Sequence, residues 1–401
     1  MSNTLWYPYT AMFPAPDFPV VKRAQGTSLF LEDGRELIDG ISSWWAVIHG
    51  YNHPVLNAAI SDQVSKMAHV MLGGLTHQPA LDLAQRLVDI TPVGLNHVFF
   101  SDSGSVGVEV ALKMALQFWL NQGLGGKTQF LAFDNAYHGD TFGAMSVCDP
   151  IDSMHHLFSG QLSQHRFCPT DADAVEALLK DHHQTLAAVI IEPLLQAAGG
   201  FKLHSPQFLR DLRQLCDRYN VLLIFDEVAT GFGRTGSLFA ADQAGICPDL
   251  MVLGKALTGG YIGHAATLAT TSIFNTFQGD SNRILMHGPT FGGNPLACAV
   301  ALASLDVFFN DHYLDAIQAL HRQLQEGLEA IHHPDIVDKR CIGAVGVLEM
   351  SPTYSLKKIQ DHCLNNGVWL RPFGSYLYIM PAYTLRANDL ATLLGQIATG
   401  L

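Results

Sequence analysis

Short, largely apolar runs recur between about residues 95 and 270: HVFF at 97–100, FLAF at 130–133, AAVII at 187–191, VLLIF at 221–225, LMVL at 250–253 and ATLAT at 266–270. Runs of this length without polar alternation predict strands buried on both faces. Between them the apolar positions shift to a helical spacing. In SPQFLRDLRQLCDRY, Ser205 is placed to cap, Pro206 fits a first turn, and Leu209, Leu212, Leu215 and Cys216 share one face. Strand and helix alternating in this way predict an α/β fold, with a mostly parallel sheet covered by helices.

The two ends of the chain read differently. The first fifty residues hold an extended entry with Pro8, Pro14, Pro16 and Pro19, then SLFLEDGRELIDG, a hairpin turning at Asp33-Gly34. Beyond about residue 300 a long helical pattern runs through ALASLDVFF and LDAIQALHRQLQEGLEAI, followed by strand-like IGAVGVLEM and LYIMP. Residues 1–50 and 300–401 are therefore expected to form one small α+β domain, and 51–299 a large one. A chain of 401 residues, 48% hydrophobic, is long enough for two such units.

Charge and composition narrow the function. A formal net charge of −13 argues against a nucleic-acid or acidic-membrane surface. Seven scattered cysteines, with no Cys-x-x-Cys pair, read as reduced thiols without a disulfide frame or zinc site. The opening residues lack a basic stretch followed by an apolar one, and no apolar run is long enough to span a membrane, so a cytoplasmic protein is expected. The 19 histidines include no His-Glu-x-x-His. His49 and His53, in HGYNHP, and the His-His pairs read as solvated loop residues rather than metal ligands.

Ligands of open parallel sheets bind beyond the carboxyl ends of the strands, so the residues following each apolar run carry the chemistry. After HVFF come Ser101-Asp102-Ser103-Gly104-Ser105 and a helix pattern, which leaves backbone N–H groups aimed at an anion. Plain capping explains that segment equally well on its own. After VLLIF comes Asp226, a carboxylate that needs a cationic or hydrogen-bonding partner: a helix cap, an ion pair or a protonated ring nitrogen. After LMVL comes Gly254-Lys255, where apolar surroundings can depress the amine pKa. Taken singly, that lysine reads as a surface residue. An anion cradle, an acid and a reactive lysine together are what pyridoxal 5'-phosphate requires.

FDEVATGFGRTG (225–236), PDLMVLGKALTGGY (248–261), SDSGSVGVEVALKMA (101–115) and HGPTFGGNPLACA (287–299) resemble the signature blocks of class III aminotransferases, a fold-type I pyridoxal-phosphate family, in the family order. The resemblance implies that Lys255 carries the cofactor, Asp226 pairs with its ring nitrogen and Tyr137 stacks on the ring. It also implies that Gly104 and Ser105 hold the phosphate, completed by Pro289 and Thr290 of a neighbouring subunit in a homodimer with shared active sites. WYPYT (6–10), DGISSWWAVIHGYNHP (39–54), NAYHGDTFGAMSVCDP (135–150) and VWLRPFG (368–374) resemble a subgroup that aminates 8-amino-7-oxononanoate in biotin synthesis. S-adenosylmethionine is the expected amino donor in that subgroup, and lysine the alternative.

By this resemblance Tyr9, Trp44, Gly288, Arg371 and Tyr378 bind or line the substrate site, and Asp140 lies near the substrate's amino end. Arg371 also suits a carboxylate on physical grounds, since a guanidinium forks onto it. Trp44 reads either as core filler or as a wall for an aliphatic chain. Many relatives have Gly-Glu-Gly-Gly after a Glu-Pro strand end. Here Glu192-Pro193 leads instead to Gln196-Ala197-Ala198-Gly199-Gly200, which counts against a glutamate-coupled ω-amino-acid or diamine aminotransferase. A pyridoxal-phosphate-binding regulatory module would not need Lys255, Asp226 and Tyr137 together. A dinucleotide-dependent dehydrogenase would need a Gly-x-Gly-x-x-Gly that the first strand lacks.

Overall fold

The computed structural model describes residues 4–14, 17–151 and 155–401, so Pro16 of the extended entry lies outside the described residues. At the amino end, β1 (Val21–Gln25) pairs antiparallel with β2 (Ser28–Leu31), which turns through Asp33-Gly34 into β3 (Glu36–Asp39). Gly34 takes φ +91°, a value open to glycine, and the Asp33 carboxylate accepts the Arg35 N–H at 3.1 Å. β3 runs into Ser42–Trp45 (α1), a single turn that winds left-handed. Two helices follow, α2 (Pro54–Lys66) and α3 (Gln78–Ile90), each with proline in its first turn.

The six apolar runs are all strands of one seven-stranded sheet. In chain order come β4 (Leu95–Ser101), α4 (Gly104–Asn121), β5 (Gln129–Phe133), α5 (Phe142–Ser146), β6 (Arg166–Cys168), α6 (Ala172–His182) and β7 (Leu186–Ile191). A small pair, β8 (Leu195–Gln196) and β9 (Lys202–Leu203), precedes α7 (Pro206–Tyr219), β10 (Leu222–Asp226), α8 (Ala240–Ala244), β11 (Leu250–Leu253), β12 (Ala265–Thr270) and α9 (Thr271–Thr276). The spatial order is β4-β12-β11-β10-β7-β5-β6, and β12 alone runs against the rest. β6 escaped the sequence reading because it is three residues long and begins with arginine. Every residue of β7 and β10 is buried, which accounts for their unbroken apolar character. α7 forms as its sequence predicts: the Ser205 hydroxyl oxygen accepts the Phe208 N–H at 3.1 Å, and Leu209, Leu212, Leu215 and Cys216 face the core.

The carboxyl end supplies α10 (Pro295–Asn310), α11 (Tyr313–Ala330), β13 (Ile336–Ile342), β14 (Val345–Met350), α12 (Leu356–Asn365), β15 (Val368–Trp369), β16 (Tyr376–Ile379) and α13 (Ala387–Gly400). The long helical pattern is two helices, broken where His312 takes φ +52°, and α10 passes through residues 299 and 300 without interruption. IGAVGVLEM is strand as expected except at Gly343 and Ala344, where a turn separates the end of β13 from β14. β15 pairs parallel with β3, Val368 opposite Ile38, so the two ends of the chain share one sheet.

One reading fails outright. His49 is buried, 2.7 Å from the Ser304 hydroxyl and 3.0 Å from that of Tyr313, with its pKa pushed down to about 3 by burial. HGYNHP is therefore not a solvated loop at His49. Its Gly and Pro suggested exposure, but α10 and α11 close over it. His155, of the first His-His pair, is buried too.

Candidate active site

Because β12 is flanked antiparallel on both sides, β4 runs in the same direction as β5, β7, β10 and β11. Their carboxyl ends lie at one edge of the sheet. A cavity of about 170 Å³ opens there, lined among others by Gly104, Ser105, Tyr137, Glu192, Asp226 and Lys255. The Ser103 hydroxyl oxygen accepts the Val106 N–H at 3.3 Å and caps α4. The first N–H groups of a helix have no acceptor within it, so Gly104 and Ser105 present the positive end of α4 to the cavity.

Lys255 follows β11 through Gly254, takes φ +43° and places Nζ 5.0 Å from the centre of the Trp45 ring. Burial drives its amine pKa down, and the carboxylates of Asp226 and Glu192 only partly pull it back. Asp226 ends β10 and is buried; its Oδ2 stands 2.8 Å from His138 Nδ1 and its Oδ1 accepts the Val228 N–H at 3.1 Å. The partner that a buried carboxylate requires is thus present within the chain. Glu192, the residue after β7, accepts the Tyr137 and Ala197 N–H groups, each at 3.0 Å, and burial raises its carboxyl to about 7.

At the mouth, the Tyr137 hydroxyl donates to Asp140 at 2.9 Å, and the Tyr9 hydroxyl reaches both Asp140 oxygens at 2.8 and 2.7 Å. A hydrogen bond from His155, then those from the two tyrosines, holds the Asp140 carboxyl down at about 2. Burial pushes the Tyr9 phenol up to about 12 and raises Tyr137 as well. The Ser105 hydroxyl oxygen accepts the Asp140 N–H at 2.9 Å, which links the start of α4 to this cluster.

Residues 13–401 match the class-III aminotransferase family. The chain is a class III aminotransferase. It is 48% identical over 402 residues to the adenosylmethionine-8-amino-7-oxononanoate aminotransferase of Mycobacterium leprae, covering 96% of this chain and 92% of that protein. It is 40% identical to the protein of that name from Saccharomyces cerevisiae, with 96% and 92% covered. The crystal structure of the like-named protein from Methanocaldococcus jannaschii superposes with a TM-score of 0.95 at 31% identity, covering 99% of this chain and 96% of that one. An amine transaminase from an uncultivated Pseudomonas species, solved with pyridoxal phosphate bound, superposes at 0.90 with 31% identity, covering 100% and 98%.

The aminotransferase stores strain beside the cavity. Ser42, Ser43, Trp44 and Trp45 have φ of 43°, 48°, 53° and 75°, a left-handed turn that costs roughly 1–2 kcal/mol per residue. Asp39 offsets part of this by accepting the Ile41 and Ser42 N–H groups at 2.9 and 3.1 Å. The Ser42 hydroxyl donates to Met380 O at 2.7 Å, and the buried Arg234 guanidinium reaches the carbonyls of Trp45, Ala344 and Pro381. The turn sends the two indoles apart. Trp45 lines the cavity, while Trp44 is 40% exposed, edge-on to Tyr9 and beneath the Arg371 guanidinium.

Tyr378 is buried on β16 behind Trp45, their rings 6.1 Å apart, rather than in the cavity wall. Gly288 and Thr290 are exposed on the loop before α10, and with Pro289 they contribute nothing to the cavity of their own chain. His138, Glu192 and Trp45 were not singled out from the sequence as site residues. His138 and Glu192 follow strand ends and were open to the same reading as Asp226. Trp45 was not, because nothing in Ser-Ser-Trp-Trp signals a left-handed turn.

Proposed function

We propose that this chain is a homodimeric, pyridoxal-phosphate-dependent enzyme that aminates 8-amino-7-oxononanoate to 7,8-diaminononanoate, with S-adenosylmethionine as amino donor. The observation that carries the reading is the meeting of Lys255, Asp226, Tyr137 and the start of α4 in one cavity. The full-length likeness to relatives bearing that name supports the choice of acceptor and donor.

The residues present fit the cofactor. The free N–H groups of Gly104 and Ser105 suit a phosphate, and the tight approach of Gly139 to Ser105 leaves no room for a side chain there: a Cβ would lie 2.1 Å from the Ser105 hydroxyl oxygen. Tyr137 and Val228 line the walls that would face the ring, and Asp226 would hold the ring nitrogen protonated. When bound, pyridoxal phosphate supplies an electron sink for the carbon that carries the amine. Lys255, with its depressed pKa, holds a larger neutral fraction than an ordinary lysine. Nζ would therefore hold the cofactor as a nucleophilic amine and, once free of it, would carry a proton at the same atom. His138 Nδ1, 2.8 Å from Oδ2, fixes the Asp226 carboxylate, and Trp45 shields Nζ from water. Arg371 at the mouth takes the carboxylate of the acceptor.

Gly288, Pro289 and Thr290 are assigned to the active site of a partner subunit, which agrees with their place on an outward loop beside the exposed Met286 and Phe291. Among the described residues no helix is long and apolar enough to cross a membrane, which is compatible with a cytoplasmic enzyme.

The test is direct. Purified protein loaded with pyridoxal phosphate is incubated with 8-amino-7-oxononanoate and either S-adenosylmethionine or lysine, and the diamine is measured. Product with S-adenosylmethionine alone is the expected outcome. Product only with lysine reverses the donor, and none with either removes the acceptor while leaving the family.

A further inference from the structure

The left-handed turn at Ser42–Trp45 gives adjacent tryptophans different partners: Lys255 for Trp45 and Arg371 for Trp44. The Arg371 guanidinium carbon lies 5.0 Å from the centre of the Trp44 ring, over its face. Among the described residues, no carboxylate forms an ion pair with Arg371. A guanidinium carried on an indole face keeps the N–H groups at its edge free, and a carboxylate forks onto that edge. Trp44 is braced in turn: the Tyr9 ring meets it edge-on at 6.3 Å and 88°, and the Tyr9 hydroxyl is tied to Asp140.

We propose that Trp44 is a positioning residue whose indole face holds Arg371 ready at the cavity mouth as a receptor for the acceptor's carboxylate. On this view Trp44 acts through its electron-rich face and through Arg371, and not only as an apolar wall for the aliphatic chain. The inference rests on the acceptor proposed above. The attraction is electrostatic, so a flat aromatic ring retains part of it and an aliphatic side chain of similar bulk does not.

The experiment compares 8-amino-7-oxononanoate with its neutral methyl ester, in wild type, W44F, W44L, R371A and the W44L/R371A double variant. The readout is the acid-to-ester preference in kcat/KM, a ratio that cancels general damage to the fold or to cofactor loading. W44L should lower the preference by roughly 3- to 10-fold, W44F should keep most of it, and W44L should change nothing further in the R371A background. An unchanged preference in W44L, with both substrates impaired alike, overturns the proposal, as does a W44L effect that persists without Arg371. If wild type aminates neither compound, the acceptor reading falls separately, and heptanoate binding measured by calorimetry then decides. Weaker binding to W44L than to wild type sustains the pairing, and equal binding ends it.

Discussion

Lys255 loses hydration in its pocket, and the carboxylates of Asp226, Glu192 and Asp140 only partly restore its charge. Replacing it by alanine should leave the fold intact and abolish the visible band that borohydride fixes. Turnover should fall by about 10³-fold or more, since nucleophile and proton carrier are lost together; a borohydride-fixed cofactor in that variant would place the attachment elsewhere. The residue next to Asp226 makes a separate prediction. Glu227 is buried, accepts the Ala240 and Ala241 N–H groups at 2.9 Å and the Thr230 hydroxyl at 2.7 Å, and burial raises its carboxyl from 4.5 to about 7. The folded state then prefers the protonated form. Its contribution to stability is complete below about pH 4.5 and is lost as pH rises towards 7. Glu227→Gln, which cannot ionise, should therefore gain on wild type by roughly 3 kcal/mol across that window. Urea unfolding of the cofactor-free protein at several pH values measures this, and a constant gap between the two proteins would refute it.

Elements set by apolar rhythm were legible, and those set by backbone strain were not. The buried strands and the Ser205-capped α7 follow from local pattern and cap chemistry alone. The reversed direction of β12 has no local signal, because a fully buried strand is apolar whichever way it runs. The left-handed turn at Ser42–Trp45 contains no glycine, and hydrogen bonds with groups outside it, among them Asp39, Tyr51, Arg234 and the Met380 carbonyl, make it tenable. A comparable close approach exists at Gly139, which has φ +129° against the first turn of α4. Gly139→Ala should displace Ser105 and weaken pyridoxal phosphate binding by about tenfold or more, with the helical circular dichroism signal retained. Unchanged cofactor affinity in a titration would show that Ser105 does not hold the phosphate.

At the scale of the whole molecule, the pairing of β3 with β15 brings the chain ends together above the sheet. Trp44, from the first fifty residues, thereby meets Arg371, from the last forty. The proposed dimer places Gly288–Thr290 in a partner's site, and Met286 beside them is 78% exposed. Met286→Glu should shift the protein towards a monomer of 43.7 kDa in sedimentation and lower activity, although Met286 touches no part of its own cavity. A dimer of undiminished activity would remove this loop from the interface.

Neighbours along the chain suffice to dictate the buried strands, the capped helices and the residues that emerge at strand ends. From these alone Lys255, Asp226 and the start of α4 could be matched to one cofactor, because parallel strands deliver their carboxyl ends to one edge. Tertiary structure decided what depends on groups far apart in sequence. His138 against Asp226, Glu192 beside Lys255, His49 buried beneath α10 and α11, and Trp45 turned inward all rest on packing and on hydrogen bonds between distant segments. Burial sets which groups lose hydration, and loss of hydration sets their pKa values, so the electrostatics of the site exists only once the chain has closed around it.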